Sequence, residues 1–131
     1  MIEQRKSFTL MELVVVIMIM GILASISLPL YNRAVERARD REAVVGLRLM
    51  AAAERNYRTN FSTFTNCADT ETCNNLLGLD LPTGNWGYDV VVGAVTFTAT
   101  ATCLWASCVG GWQLDQDGNL ATFGGRVNWN P

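Results

Sequence analysis

The sequence predicts an α+β fold: one long N-terminal α-helix, membrane-spanning in its first half and amphipathic in its second, packed on a small antiparallel β-sheet. Three observations carry that prediction. From Leu13 to Leu30 there are eighteen residues and no charged side chain, and at a rise of ~1.5 Å each they cover ~27 Å as a helix, close to the ~30 Å hydrocarbon core of a bilayer. From Tyr31 to about Arg58 apolar residues recur at helical spacing among charges. Beyond Pro82 the period changes to two, and Val95, Phe97, Ala99 and Ala101 alternate with Thr96, Thr98, Thr100 and Thr102. Four segments follow, at 1–7, 8–30, 31–58 and 59–131.

Residues 1–7 read as a short cationic leader, with Arg5 and Lys6 against Glu3. By the positive-inside rule they hold the N-terminus in the cytoplasm and leave the C-terminal part on the other side of the membrane. The apolar run behind them is too long for a secretory h-region of about 7–15 residues. Within 8–30 Glu12 is the one charge. A carboxylate in a membrane segment costs roughly 2.5–3.5 kcal/mol, so it calls for a partner. Gly21 and Ser25 form a small-x-x-x-small pair where a second helix backbone can approach. Pro29 removes its own N–H and crowds the carbonyl of Ser25, which predicts a modest kink.

The series Phe8-Thr9-Leu10-Met11-Glu12-Leu13, then Gly21, then Leu28-Pro29, then a charged helix, resembles the N-terminus of type IV prepilins and the related pseudopilins. The strict match covers residues 7–31, and a looser one runs on through 34–39 and 54–57. Ser7 stands where the family usually has Gly. The resemblance implies cleavage between Ser7 and Phe8 by a membrane prepilin peptidase, N-methylation of Phe8, and assembly through Phe8, Glu12, Gly21 and Pro29, with local melting between Gly21 and Pro29 as the subunit leaves the bilayer. It also implies a homopolymeric helical filament, an assembly ATPase and an inner-membrane platform. The precursor would sit in the inner membrane with a periplasmic head, and the assembled pilus outside the cell. Adhesion, twitching motility and DNA uptake are tasks of such filaments. Cleavage frees an α-amino group at Phe8, and at ~4 Å and an effective dielectric of ~20 that cation and a neighbour's Glu12 gain ~4 kcal/mol. Such a pair selects register between rods; Glu12 can also complement its own helix N-terminus.

The second half of the helix, 31–58, is expected to show an apolar stripe at 34, 38, 45, 49 and 52, broadened by 35, 43, 47 and 50. Arg33, Glu36, Arg37, Asp40, Arg41 and Arg48 fall mainly off it and read as a solvated face. Glu54 and Arg58 form an i,i+4 pair worth ~0.3–0.5 kcal/mol, and Gly46 costs about 1 kcal/mol against Ala. Thr59-Asn60 ends the periodicity.

Residues 61–85 read as irregular, with Pro82-Thr83-Gly84-Asn85 as a turn cluster. Strands are expected at 86–92, from Val95 through Ala101, at 112–115 and at 119–123, the last two flanking Gln116-Asp117-Gly118; the tail, 127–131, offers a further edge segment. Four cysteines in an exported head suggest two local disulfides, Cys67 with Cys73 and Cys103 with Cys108, among three possible pairings. Their spacing and the absence of His from the whole sequence argue against a zinc site, and no metal or other cofactor is expected. Asp115-x-Asp117-Gly118 carries only part of a calcium loop and reads as a turn. Trp86, Trp105, Trp112 and Trp129 read mainly as packing residues, Trp105 being the one placed for exposure.

Charge separates along the chain although the formal net charge is only −2. Residues 31–58 hold seven Arg against four acids, and residues 59–131 hold Arg126 against six acids. An acidic head argues against direct binding of nucleic acid. No His is present to serve a nucleophile, and no metal constellation appears, so an enzyme is not expected. The expected function is that of a type IV pilus subunit. The first alternative is a type II secretion pseudopilin, whose Pro-rich Trp-Gly segment is matched only in part by Asn85-Trp86-Gly87-Tyr88, which lacks the prolines. The second is a membrane-anchored binding domain that never polymerises.

Overall fold

The computed structural model describes residues 8–126. The leader, Ser7, Trp129 and the expected edge segment at 127–131 lie outside the described residues. The chain forms helix α1 (Leu10–Phe61), helix α2 (Thr70–Leu77) and strands β1 (Trp86–Val92), β2 (Phe97–Cys103), β3 (Gly111–Asp115) and β4 (Leu120–Phe123). It divides into two compact units between Glu36 and Arg37. The layout is the predicted one, a long N-terminal helix and a small antiparallel sheet.

In the N-terminal unit the helix is unbroken through Pro29. Ser25 and Ser27 turn their hydroxyls back onto the carbonyls of Ile22 and Leu23, at 2.7 and 2.9 Å. Two polar side chains are thereby satisfied within an apolar rod.

In the second unit the sheet is a meander with strand order β1-β2-β3-β4, every neighbour antiparallel. Alternation decides its faces. Trp86, Tyr88 and Val90, Phe97, Ala99 and Ala101, and Trp112 and Leu114 are buried. Ala101 lies in register between Tyr88 and Trp112. Ala99 lies between Val90 and Leu114 in the same way. Small residues on the central strand thus leave room for large ones on both sides. Leu47 and Met50 of α1, both fully buried, join the same core.

Of the predicted stripe only the broadening positions Ala43, Leu47 and Met50 meet this core. Asp40, Ala43, Val44, Gly46, Leu47, Met50, Ala51 and Glu54 are buried, whereas Ala34, Ala38, Val45, Leu49 and Ala52 are exposed. Two acids lie on the inner face because the head supplies their partners. Trp112 and Arg126 reach Asp40, and the Thr65 N–H reaches Glu54 Oε2 at 3.0 Å. The expected Glu54–Arg58 pair is therefore replaced. Glu54 points inward, burial raises its carboxyl above the usual range, and the Arg58 guanidinium lies 4.8 Å from the Phe64 ring centre.

Gly46 sits where the Tyr88 ring crosses the helix, and a Cβ there would meet the phenol oxygen at 2.6 Å. A glycine unfavourable for the helix by itself is the residue that lets the sheet dock. Gly46→Ala is expected to destabilise the head by ~1–2 kcal/mol, overpacking exceeding the gain in helix propensity. Chemical denaturation of the purified chain in detergent measures it.

Three further departures are local. Helix α1 runs to Phe61, since Thr59 Oγ1 and Asn60 Nδ2 donate to the carbonyls of Arg55 and Asn56 and extend the last turn. Ser62, at φ 61°, then ends it. Residues 70–77 are helical rather than irregular: Asp69 caps α2 by accepting from Thr72 N at 2.8 Å, and Gly78 at φ 63° closes it. Val95 is not part of the second strand. It is exposed in the turn closed by the Gly93 N–H to Thr96 carbonyl bond of 2.8 Å.

Candidate functional site

The N-terminal unit is built from residue types that cannot satisfy themselves. Phe8, Leu10, Met11, Leu13, Val15, Val16, Ile17 and the aliphatic series on to Leu30 are all exposed, most by more than half. The 18-residue window within α1 that is apolar enough to cross a membrane buries nothing against the described residues of its own chain. At 25 cal/mol per Å2, roughly 2 kcal/mol per large side chain is at stake, so bilayer or other chains must cover this surface. A Cβ at Gly21 would meet open space, so nothing among the described residues uses the close approach which that residue permits.

The charged end of this surface is organised by a cap. Thr9 Oγ1 and the Thr9 carbonyl both accept from the Glu12 N–H, at 3.2 and 3.1 Å, and Leu13 N donates to the same carbonyl at 3.3 Å. Thr9-Leu10-Met11-Glu12 has the spacing of a capping box, S/T-x-x-E. Glu12 thus stands in the first turn of α1, exposed, where a carboxylate complements the helix dipole. Phe8 lies just before the cap and is exposed. The structure therefore places Phe8 and Glu12 at one end of the rod and Gly21 and Pro29 farther along it. Sequence reasoning missed the cap, although Thr9 and Glu12 spell it.

The cysteines belong to the head. Cys67 bonds Cys73 and Cys103 bonds Cys108. The first bridge joins the start of α2 to residue 67, which pairs with Val90 through bonds of 3.2 and 2.8 Å and so fastens the segment to the edge of β1. The second closes the loop between β2 and β3 beside a buried cluster. There Asp40 Oδ1 accepts from Trp112 Nε1 at 3.1 Å and from Arg126 Nε at 2.8 Å, with Arg126 Nη2 on the same oxygen. The Arg126 guanidinium lies 4.9 Å from the Trp86 ring centre and 5.4 Å from that of Trp105. Trp105 meets Trp86 edge-on at 5.1 Å and is half-buried rather than exposed. The one basic residue of 59–131 is thus spent on the stem.

Asp115 accepts from the N–H groups of Asp117 and Asn119 at 2.9 and 2.8 Å, and from Asn119 Nδ2 at 2.8 Å. Its carboxyl is held below the usual range by these bonds and it shapes the β3–β4 turn. Burial, with Glu42 nearby, pushes the Tyr88 phenol up to about 12. A raised folded value favours the neutral phenol, so this contribution is complete below pH 10 and is lost as pH rises from about 10 towards 12. Alkaline unfolding followed by tryptophan fluorescence should show a drop in stability across that window, absent in Tyr88→Phe.

A family model described as the prokaryotic N-terminal methylation motif matches residues 4–28. A fimbrial protein of Moraxella nonliquefaciens is 37% identical over 83 residues, which are 63% of this chain and 51% of the relative. The chain spans about half the length of this curated relative. No solved structure matches it. The motif and the relative together support a type IV pilin-like family, a class that is structural rather than catalytic. The long apolar helix and the small antiparallel sheet have the layout of that class.

Proposed function

We propose that this chain is a structural subunit of a type IV pilus. It is made as an inner-membrane precursor with a cytoplasmic N-terminus, cut by a prepilin peptidase between Ser7 and Phe8, methylated at the Phe8 amine, and polymerised through its apolar helix. The carrying observation is the uncovered rod from Phe8 to Leu30 with Glu12 as its one charge. A bilayer covers the apolar surface but leaves the acid costly. A filament of like rods covers the surface and brings each acid a neighbour's amine. An assembly ATPase and a membrane platform would move the subunit from one to the other. The relative's name, fimbrial protein, favours a pilus over a secretion pseudopilin.

Mass spectrometry of sheared surface fibres tests the reading. The expected result is a chain beginning at N-methylated Phe8, and no fibres in a strain lacking the peptidase. A processed chain beginning at Met1, or one that stays a solitary membrane protein, overturns it. Surface fibres lost with protein secretion intact in a deletion strain separate the pilus from the pseudopilin.

A further inference from the structure

At one end of the sheet the β1–β2 and β3–β4 turns meet the last turns of α1 around a cavity of about 490 Å3, all of it within the second unit. Clefts that hold small molecules run from about 300 to 1,000 Å3. The floor is aromatic. Phe64 and Phe97 are both buried and meet edge-on at 4.9 Å, and Val95 stands exposed at the lip.

The polar groups of the cavity carry both signs. Arg55 and Arg58 line it from neighbouring positions on one helix face. Each is held in place: Arg55 Nη2 donates to the Gln116 carbonyl at 3.0 Å, and the Arg58 guanidinium lies over the Phe64 ring. Among the described residues neither guanidinium meets a carboxylate. Both therefore keep N–H donors for an anion. Thr59 adds none, because its hydroxyl donates back to the Arg55 carbonyl at 2.9 Å. The β3–β4 turn contributes Gln116 and Asp117. Asp117 is exposed, and the buried Gln116 Oε1 has no partner among the described residues. A bare anion in this cavity would meet Asp117 as a like charge. A ligand that brings its own cation would be attracted by it.

We infer that this cavity binds an α-amino acid with an aromatic side chain. The carboxylate goes to the two guanidiniums, whose planar forks match it. The ammonium goes to Asp117 and to the unpartnered Gln116 oxygen, for which a donor removes the cost of an unsatisfied buried acceptor. The ring lies against Phe64 and Phe97. An α-amino acid carries its two charges on one carbon, and the Arg55–Gln116 bond joins the basic side of the cavity directly to the acidic one. The apolar rod has no part in this site, so the inference stands apart from polymerisation.

The test is equilibrium dialysis of the full chain in detergent against labelled L-phenylalanine. Saturable binding is expected. 3-Phenylpropionate, which lacks the ammonium, and 2-phenylethylamine, which lacks the carboxylate, should each compete roughly tenfold or more less well than phenylalanine itself. Arg58→Met should weaken phenylalanine binding by roughly tenfold or more. Asp117→Asn should weaken phenylalanine and leave 3-phenylpropionate unchanged or tighter, a reversal that loss of fold would not produce. Both side chains are exposed, and thermal unfolding of each variant beside the parent checks that the head is intact. No saturable binding at millimolar phenylalanine overturns the proposal. So does equal competition by 3-phenylpropionate, and so does unchanged binding in both variants.

Discussion

Glu12→Gln and Glu12→Val should insert in the membrane as well as the parent chain, or better, and yield almost no fibre. The acid costs roughly 2.5–3.5 kcal/mol in the bilayer, so its removal favours insertion. In an array of rods the same acid gains about 4 kcal/mol against an amine at ~4 Å, nearly a thousandfold in the equilibrium of each contact. Because that gain is available in one register only, its loss leaves apolar helices that adhere without order. The cap refines the expectation. The Thr9 oxygens hold the Glu12 N–H whatever side chain stands at position 12, so Glu12→Gln should keep the helix start. Quantifying sheared fibres against membrane-held precursor checks the result, and normal fibre yield from either variant rules out the register role.

Arg126→Met should destabilise the head by about 3–5 kcal/mol, the usual cost of leaving one member of a buried ion pair behind. Asp40 is 2% exposed, and its Oδ2 already has no partner among the described residues. Without the guanidinium Trp112 Nε1 alone, among the described residues, remains on the other oxygen. Asp40→Leu combined with Arg126→Met should recover most of the loss, because no charge is then left buried, although Trp112 Nε1 forfeits its acceptor. Thermal unfolding of the four chains in detergent gives the coupling directly. Equal losses in the single and the double variant would show that Arg126 acts by packing on Trp86 and Trp105 rather than by charge.

Strands β1 to β4 were legible in the sequence nearly residue by residue. Alternation with period two leaves little choice of face once one side must be buried, and the turns at Gly93 and Gly118 delimit the hairpins. Helix α2 was not legible by periodicity, being eight residues long, although Asp69 and Gly78 mark its ends. The inner face of α1 was read only in part, at Ala43, Leu47 and Met50, for a different reason. Between Ala34 and Ala52 the helix has apolar residues on two faces, and periodicity centred the stripe on the one without acids, with the other only broadening it. The tertiary structure uses the other. Asp40 becomes acceptable inside once Trp112 and Arg126 are brought to it from distant sequence, and Glu54 once the loop after the helix returns the Thr65 amide to it.

The sequence by itself determined the long apolar rod with its single acid, the positions of the strands, and the separation of a basic stem from an acidic head. Each of these rests on local period or on composition, which the chain carries wherever it folds. Only the tertiary structure decided which stripe of α1 is covered, that Gly46 makes room for Tyr88, and that the lone base of the head is clasped to Asp40. Those outcomes depend on contacts between residues forty to ninety positions apart, where the partner that makes burial of a charge tolerable cannot be seen from the charge itself.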